Sequence, residues 1–344
     1  MKKITIPKPF DPHVHFRTGK TLSDVAQFTA CVFPRAVVMG NLPDPVDDAV
    51  RMIAYRDEIL NVEPGFQPIM SIMLTRKTTV ETLDAAWKAG AKLLKFIPGG
   101  ASTGGTVGLN LPDLYGQLQL LEAVRDRGII FSIHLELPRL SSSNLPVPRE
   151  IQELLAIQYL EDLIMMVPGL KIVVEHASSM ELIEFIKDAP ANVAATLTAH
   201  HAILTNEDVC DADGNIIYPL NYCKPIAKKA RDRQAVRAAM ISGRRKFFFG
   251  SDSAPHPWAR KQGSDPAAGI FSAPVALPLL CQIFEEEGAL GKLEGFVSRY
   301  GVDFYELSPS EGTVTIKKES WDVPLDYEGV PIFCGGTSMP WKVM

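Results

Sequence analysis

Residues 11–17 read Asp-Pro-His-Val-His-Phe-Arg and stand at the end of the first apolar run of the chain. In a strand, successive side chains alternate between the two faces, so His13 and His15 project to the same side. Two imidazoles one pleat apart at a strand end form half of a metal site, and Arg17 continues the same alternation. A His-x-His pair alone fits two structural histidines equally well. A metal site is favoured over structural histidines only if further potential ligands stand at the ends of other strands.

The rest of the chain alternates short apolar runs with longer amphipathic segments. The predicted strands are residues 4–16, 36–41, 68–74, 92–97, 129–135, 171–176, 193–201 and 246–250. Eight strand-then-helix units predict an α/β protein with a (β/α)8 TIM barrel. A doubly wound open sheet is the alternative, but no Gly-x-Gly-x-x-Gly follows any early strand. We expect a single domain, 1–344, with the barrel over about 4–290 and a helical and irregular C-terminal extension over 291–344.

The composition limits the classes of partner. A net charge of −5 and a pI of about 5.9 give no electrostatic reason to expect binding to nucleic acid or to an anionic membrane. A basic run from Lys228 to Arg237 has helical spacing and is interpreted as a solvated face. The first residues lack the apolar core of a signal peptide, and no stretch is long enough to span a bilayer.

The five cysteines are an odd number, widely scattered, with no Cys-x-x-Cys. This pattern argues against a disulfide framework or a thiolate zinc site and indicates a reducing compartment. We therefore expect a cytoplasmic protein.

Residues that can bind metals or substrates cluster at one end of the predicted strands. They are His13, His15, Asn41, Lys95, His134, His176, His200, His201, Asp252 and His256. All seven histidines of the chain belong to this set, which scattered structural histidines would not do. Catalytic groups of a (β/α)8 barrel gather at the C-terminal strand ends, so the distribution predicts an active site there.

Lys95 stands in a predicted buried strand, since residues 93–97 read Leu-Leu-Lys-Phe-Ile. A buried ammonium is costly unless it is paired or neutral, and a nearby divalent metal would add repulsion. The ordinary alternative is a lysine that extends its ammonium to solvent. A neutral amine can instead react with CO2, and the resulting carbamate is an anionic ligand with two oxygens that can bridge two metals.

The order His-x-His, strand Lys, strand His, strand His, strand Asp resembles the binuclear amidohydrolase superfamily. Narrower motifs are Met-Gly-Asn-Leu at 39–42, Glu-His at 175–176, Gly-Ser-Asp-Ser-Ala-Pro-His at 250–256 and Phe-Ser-Ala-Pro at 271–274. With residues 11–17 they closely resemble the bacterial single-function dihydroorotases over about residues 4–305. The resemblance implies reversible interconversion of N-carbamoyl-L-aspartate and L-dihydroorotate in pyrimidine (UMP) biosynthesis, and a homodimer.

The resemblance also implies roles for single residues. One Zn2+ would be held by His13, His15, Lys95 as its carbamate and Asp252, and a second Zn2+ by Lys95, His134 and His176. A hydroxide between the metals would be the nucleophile, with Asp252 as general acid and base. The substrate carboxylate would contact Arg17, Asn41 and His256, with main-chain contacts near Lys224 and Ala268, and Ser102 with Thr103 would act as a lid pair.

Two positions depart from the family pattern. His200 stands where the family commonly has glutamine, and Lys224 stands where it usually has an apolar residue. Adjacent strand residues face opposite ways, so only one of His200 and His201 can face the pocket, and the resemblance favours His201.

Two rival functions remain. A related cyclic amidase, hydantoinase-like or dihydropyrimidinase-like, would not need a carboxylate clamp such as Arg17 with Asn41. An inactive dihydroorotase-like scaffold, supporting a partner such as aspartate transcarbamoylase, would be expected to have lost metal ligands.

Overall fold

The computed structural model describes residues 2–101, 108–140 and 143–344, and its central feature is a sheet of eight parallel strands. Strand β1 (Lys3–Pro7) lies outside this sheet. The eight strands follow in chain order: β2 (Asp11–Val14), β3 (Arg35–Val38), β4 (Gln67–Met73), β5 (Leu93–Phe96), β6 (Ile130–Ile133), β7 (Ile172–Val174), β8 (Val193–Leu197) and β9 (Phe247–Phe249). Each strand pairs in parallel with the next.

Helices connect these strands and cover the outside of the sheet. They are α1 (Gly19–Ala30), α2 (Ala49–Val62), α3 (Val80–Lys88), α4 (Leu118–Asp126), α5 (Gln152–Met166), α6 (Met180–Asp188) and α7 (Ala230–Ile241), with α8 (Trp258–Lys261), α9 (Ala276–Glu286) and α10 (Tyr300–Phe304) after β9. The predicted (β/α)8 barrel is confirmed. None of the helices described combines the length and the apolar character needed to cross a membrane.

The barrel closes where the chain beyond β9 meets β2. The main-chain N–H of Asp252 donates to the carbonyl of His13 at 3.0 Å, and that of His15 donates to Ser253 at 2.9 Å. The Asp11 carboxylate accepts a hydrogen bond from the N–H of Ser251 at 2.9 Å, which is a further link between the two segments. Closure therefore brings residues 13–15 and 252 together.

The barrel interior consists of an apolar floor under a polar layer. Alternate residues of the strands point inward, and Leu93, Ile130, Val173, Ala194 and Phe248 pack there with Phe10, Val302 and Tyr305 as the apolar floor. The next inward positions on β5, β6 and β8 are Lys95, Ser132 and Thr196, all buried. The site described below therefore lies on a water-excluding base.

The first predicted strand is in fact two strands. Pro7 and Pro9 lack the N–H that a continuous ladder requires, so β1 ends at residue 7 and β2 begins at residue 11.

The C-terminal extension, predicted as helical and irregular, contains strands. β10 (Thr313–Asp322) pairs antiparallel with β1 and with the last strand, β13 (Ser338–Val343). The short β11 (Asp326–Tyr327) and β12 (Val330–Pro331) pair with each other. Only Val314 and Ile316 of β10 show the alternation of a half-buried strand, so the sequence signal covers only the first part of β10.

Helix α5 buries Leu160 and Leu163 but not the apolar residues at its start. Ile151, Leu154 and Leu155 are 38–41% exposed, whereas Glu153 is buried. The Glu153 carboxylate pairs with Lys228 at 3.0 Å and accepts from Ser178, so burial of this charge is compensated. Lys228 is therefore buried rather than part of the solvated face predicted for the basic run.

Candidate metal centre

A cavity of about 410 Å³, counted with its open mouth, lies at the C-terminal end of the barrel strands. It is lined by His13, His15, Arg17, Asn41, Lys95, Ile97, His134, His176, Lys224, Asp252, Ala254, Ala268 and Gly269. The structure thus gathers side chains from strands far apart in sequence around one space. His256 adjoins this set through its contacts with Arg17 and Ala268.

Three potential ligand atoms form a triangle at the C-terminal end of β2. His13 Nε2 and His15 Nε2 are 3.2 Å apart, and Asp252 Oδ1 lies 3.4 Å and 3.1 Å from them respectively. Ligand atoms about 2.0–2.1 Å from a tetrahedral zinc are separated by about 3.3–3.4 Å. The triangle therefore fits one face of a zinc coordination sphere.

A second pair of imidazoles converges at β6 and β7. His134 Nδ1 lies 3.2 Å from His176 Nε2. His134 Nε2 lies 2.6 Å from the buried Glu136 carboxylate, which holds the proton on Nε2 and leaves the Nδ1 lone pair directed at His176. Burial alone would raise the pKa of Glu136, but the contact with His134 lowers it below its ordinary value, so Glu136 is an anion.

Glu175 orients the first group in the same way. Its carboxylate accepts from His13 Nδ1 at 2.7 Å and from the hydroxyls of Thr196 and Ser132 at 2.7 and 2.6 Å. The proton is thereby held on Nδ1, so the Nε2 lone pair of His13 points into the triangle. Both carboxylate–histidine pairs are arranged as in metal sites.

Lys95 lines the cavity that both groups of ligands border. Its side chain is 1% exposed, and Nζ has no hydrogen-bond partner among the described residues. Burial lowers the pKa of Lys95 to about 8, although Glu175 and Asp252 oppose the shift. A substantial neutral fraction therefore exists near physiological pH, which is the form that reacts with CO2.

Three residues of the site have left-handed backbone conformations. The φ angles are +63° at Arg17, +44° at His176 and +42° at Asp252. Such angles are uncommon outside glycine and cost free energy that the surrounding structure must offset. They occur just after strand ends, where the chain turns and directs these side chains toward the cavity.

The other end of the cavity is cationic. Arg17 donates from Nε to the carbonyl of Pro255 at 3.0 Å, and its Nη2 lies 2.9 Å from His256 Nε2. Burial, with the charges of Arg17 and Lys261, lowers the pKa of His256 to about 2, so this imidazole is neutral. Asn41 is buried, and its Oδ1 has no partner among the described atoms. The arrangement can bind an anion, for which a guanidinium is the natural donor.

The two positions that depart from the family pattern have different surroundings. Lys224 borders the cavity, and its Nζ donates to the carbonyl of Gly100 at 3.2 Å. Strand β8 ends at Leu197, so the alternation argument for His200 and His201 fails, and among the described residues neither lines the cavity. His201 contacts Thr198 Oγ1 at 2.7 Å and the carbonyl of Pro225 at 2.9 Å, whereas both ring nitrogens of the buried His200 lack partners in the described structure.

Sequence reasoning assigned no role to Glu136 or Glu175. A signal existed for Glu175, which follows the same alternation as Val173, whereas Glu136 lies beyond the end of β6 at Ile133, where alternation no longer predicts the direction of a side chain. Ser102 and Thr103, the predicted lid pair, lie outside the described residues.

No family model matches the chain. A curated protein of Marinomonas sp. (strain MWYL1) named dihydroorotase is 40% identical over 352 residues, covering 100% of both chains. The structure of a dihydroorotase from Saccharomyces cerevisiae in complex with 5-fluoroorotic acid superposes with a TM-score of 0.93 at 30% identity, covering 100% of this chain and 99% of that one. An L-hydantoinase from Arthrobacter aurescens reaches a TM-score of 0.82 at 15% identity, over 99% of this chain and 84% of its own, and so shares the fold alone.

Proposed function

The chain belongs to the dihydroorotase family of hydrolases, and from this premise we propose that it catalyses the reversible cyclisation of N-carbamoyl-L-aspartate to L-dihydroorotate in pyrimidine (UMP) biosynthesis. The observation that carries the proposal is one cavity with donors suited to two metals at one end and a cationic anion site at the other. The two ends match a substrate with a reacting amide and a carboxylate.

Two Zn2+ ions are proposed per chain. His13, His15 and Asp252 would hold one, His134 and His176 the other, and the carbamate of Lys95 would bridge them. The metals supply Lewis acidity, which acidifies a water and polarises the carbonyl under attack. Glu175 and Glu136 keep the ligating nitrogens of His13 and His134 unprotonated.

Asp252 is the proposed general acid and base. Burial raises its pKa, but the hydrogen bond with His15 and the nearby His13 imidazole outweigh burial and lower it below the ordinary value. An ionised Asp252 can accept a proton at its carboxylate and return it to the ring nitrogen as the amide opens. Its left-handed backbone and the closure contact with His13 fix the direction of the carboxylate.

Arg17, Asn41 and His256 are proposed to bind the substrate carboxylate. No carboxylate of the described residues lies within ion-pair distance of Arg17, so the guanidinium is free to take an anionic ligand. This feature supports dihydroorotate over hydantoins, which carry no carboxylate at that place. Ala268 and Lys224 are proposed to contact the substrate through the main chain, and Ser102 and Thr103 to close over it.

The wider predictions remain part of this proposal. All five cysteines are unpaired, three of them buried, which supports a reducing, cytoplasmic setting. A homodimer is proposed from the family. The pairing of β1 with β10 supports a single domain over 1–344.

The test is turnover of L-dihydroorotate by the protein as isolated, after chelation, and after zinc is restored with and without bicarbonate. We expect activity to be lost on chelation and restored fully only with both additions. A metal-loaded protein that opens hydantoins but leaves dihydroorotate intact would support the cyclic amidase. A protein without bound metal or activity under every condition would support the scaffold.

A further inference from the structure

Lys261 is a buried cation outside the groups considered so far. It ends α8, its side chain is 2% exposed, and its Nζ donates to the carbonyls of Gly269, Ala267 and Tyr222 at 2.7, 3.0 and 3.2 Å. An ammonium has three N–H donors and a neutral amine has two, so three acceptors fit the charged form. Burial lowers the pKa of Lys261 to about 8, but the three carbonyls favour the ammonium.

The three carbonyls belong to two separate segments that form one side of the cavity. We call residues 222–224 and 267–269 the pocket wall, since Lys224, Ala268 and Gly269 line the cavity. The segments are joined directly by one main-chain bond, from the N–H of Gly269 to the carbonyl of Tyr222 at 2.9 Å. Lys261 bonds to both and stands behind the wall.

The pocket wall is also packed tightly against the anion site. Gly269 has φ +141°, and a Cβ there would lie 2.6 Å from the carbonyl oxygen of Ala254 and 3.0 Å from Cδ2 of His256. Ala268 O lies 3.0 Å from His256 Nε2. A shift of the pocket wall would therefore displace His256, which is the side chain that contacts Arg17.

Lys261 also contributes charge at this end of the cavity. Lys261 bonds to the carbonyls on either side of Ala268, whose own carbonyl oxygen lies 3.0 Å from His256 Nε2. Arg17 Nη2 lies 2.9 Å from the same nitrogen, so both cations act on one imidazole, and both lower its pKa. Across residues 2–101, 108–140 and 143–344, Lys261 has no carboxylate within 4 Å, and its partners are carbonyls alone. An anion bound beside Arg17 would offset the repulsion between the two cations.

We propose that Lys261 is a positioning residue for substrate, which holds the pocket wall in register with His256 and supplies, with Arg17, the positive potential that selects a carboxylate. The inference rests on the proposed function, because it assigns the anion site to the carboxylate of dihydroorotate. Lys261 touches no reacting atom, so it acts through Ala268, His256 and Arg17.

Three variants separate the charge of Lys261 from its hydrogen bonds. Lys261→Arg keeps both, Lys261→Gln keeps donors without charge, and Lys261→Met keeps only the length of the side chain. The readouts are kcat and KM for L-dihydroorotate and the dissociation constants of orotate and of its neutral amide. We expect Lys261→Met to raise KM and the orotate dissociation constant by about tenfold or more, because small displacements of binding groups are costly.

The effect of the Lys261 charge is measured as the ratio of the affinity for orotate to the affinity for its neutral amide, orotamide. This ratio is expected to fall in Lys261→Gln and Lys261→Met and to be retained in Lys261→Arg, whereas a purely structural role would weaken both ligands alike. Zinc content and unfolding temperature identify a variant that fails to fold. If Lys261→Met fails to fold, Lys261→Arg is compared with Lys261→Gln. An unchanged ratio in both neutral variants would overturn the inference while wild-type turnover leaves the proposed function intact. A wild-type protein that neither turns over dihydroorotate nor binds orotate would overturn both.

Discussion

Replacing Glu175 with glutamine tests whether the buried carboxylates set the metal affinity of the histidines they touch. Glu175 accepts three hydrogen bonds, from His13 Nδ1, Thr196 and Ser132. Burial raises its pKa, but His13 first and then Lys95 and Ser132 bring it below the ordinary value, so it is ionised at neutral pH. Glutamine has the same shape and can turn its amide nitrogen toward the Ser132 oxygen, so the main change is the loss of charge.

The magnitude follows from the bond to His13. Hydrogen bonds to charged groups contribute about 1.5–3 kcal/mol and neutral ones about 0.5–1.5 kcal/mol, so the His13 contact weakens by about 1–1.5 kcal/mol. A difference of about 1.4 kcal/mol is tenfold in an equilibrium constant. We therefore expect Glu175→Gln to weaken zinc binding at the His13 group by about tenfold, at the lower end of the effect of such outer ligands.

The assay is chelator competition on apo-protein, with turnover of dihydroorotate measured at fixed free zinc. The variant should need about tenfold more free zinc for half-maximal activity and should recover kcat when zinc is saturating. Glu153→Gln is the matched control, because Glu153 is an equally buried carboxylate that contacts Lys228 and Ser178 rather than a histidine. The reasoning is refuted if Glu175→Gln lowers the unfolding temperature as Glu153→Gln does but leaves the zinc dependence of the wild type unchanged.

Four further variants test the rest of the site. Lys95→Ala should abolish turnover and regain part of it with a short carboxylic acid, and no recovery with full zinc occupancy would count against the carbamate. Asp252→Asn should lower kcat by about 10²–10⁴-fold while orotate binding, measured by calorimetry, persists; retained kcat would exclude Asp252 as the proton carrier. Arg17→Lys should raise KM for dihydroorotate by about tenfold with a smaller change in kcat, since the planar fork is lost, and an unchanged KM would contradict the clamp. Gly269→Ala should lower the free energy of unfolding by about 1–3 kcal/mol in urea titrations, because its Cβ meets Ala254 O; wild-type stability would contradict that clash.

The sequence was sufficient to predict the barrel and the ligand candidates at its strand ends for one physical reason, whereas Lys224 and Ala268 were expected only from the family resemblance. Side chains alternate along a strand, and the carboxyl ends of parallel strands meet at one end of a barrel, so Lys95 and His134 could be assigned to one space from local spacing. The main-chain contacts between residues 13–15 and 252–253 close the barrel and bring His13, His15 and Asp252 to the same space. These predictions require only the alternation of side chains along a strand and the arrangement of parallel strands in a barrel.

Features that depend on partners distant in sequence could not be predicted in this way. Glu153 is buried because Lys228, which is distant in the sequence, pairs with it, while the neighbouring Leu154 and Leu155 stay partly exposed. The strand β10 forms because β1 and β13 lie on either side of it. The alternation expected for His200 and His201 fails because β8 ends at Leu197, and nothing in the local sequence marks that end.

The contact between the two ends of the chain determines when the active site can form during synthesis. His15 and Asp252 are 237 residues apart, and β1, which precedes the strand that holds His13, pairs with residues 313–317. A nascent chain therefore has its first histidines early but cannot hold them in place until nearly all of it has left the ribosome. Contacts of such long sequence separation are formed late and slowly. At the proposed metal centre, loading would accordingly follow closure of the barrel, so metal would be supplied to a protein that has already folded.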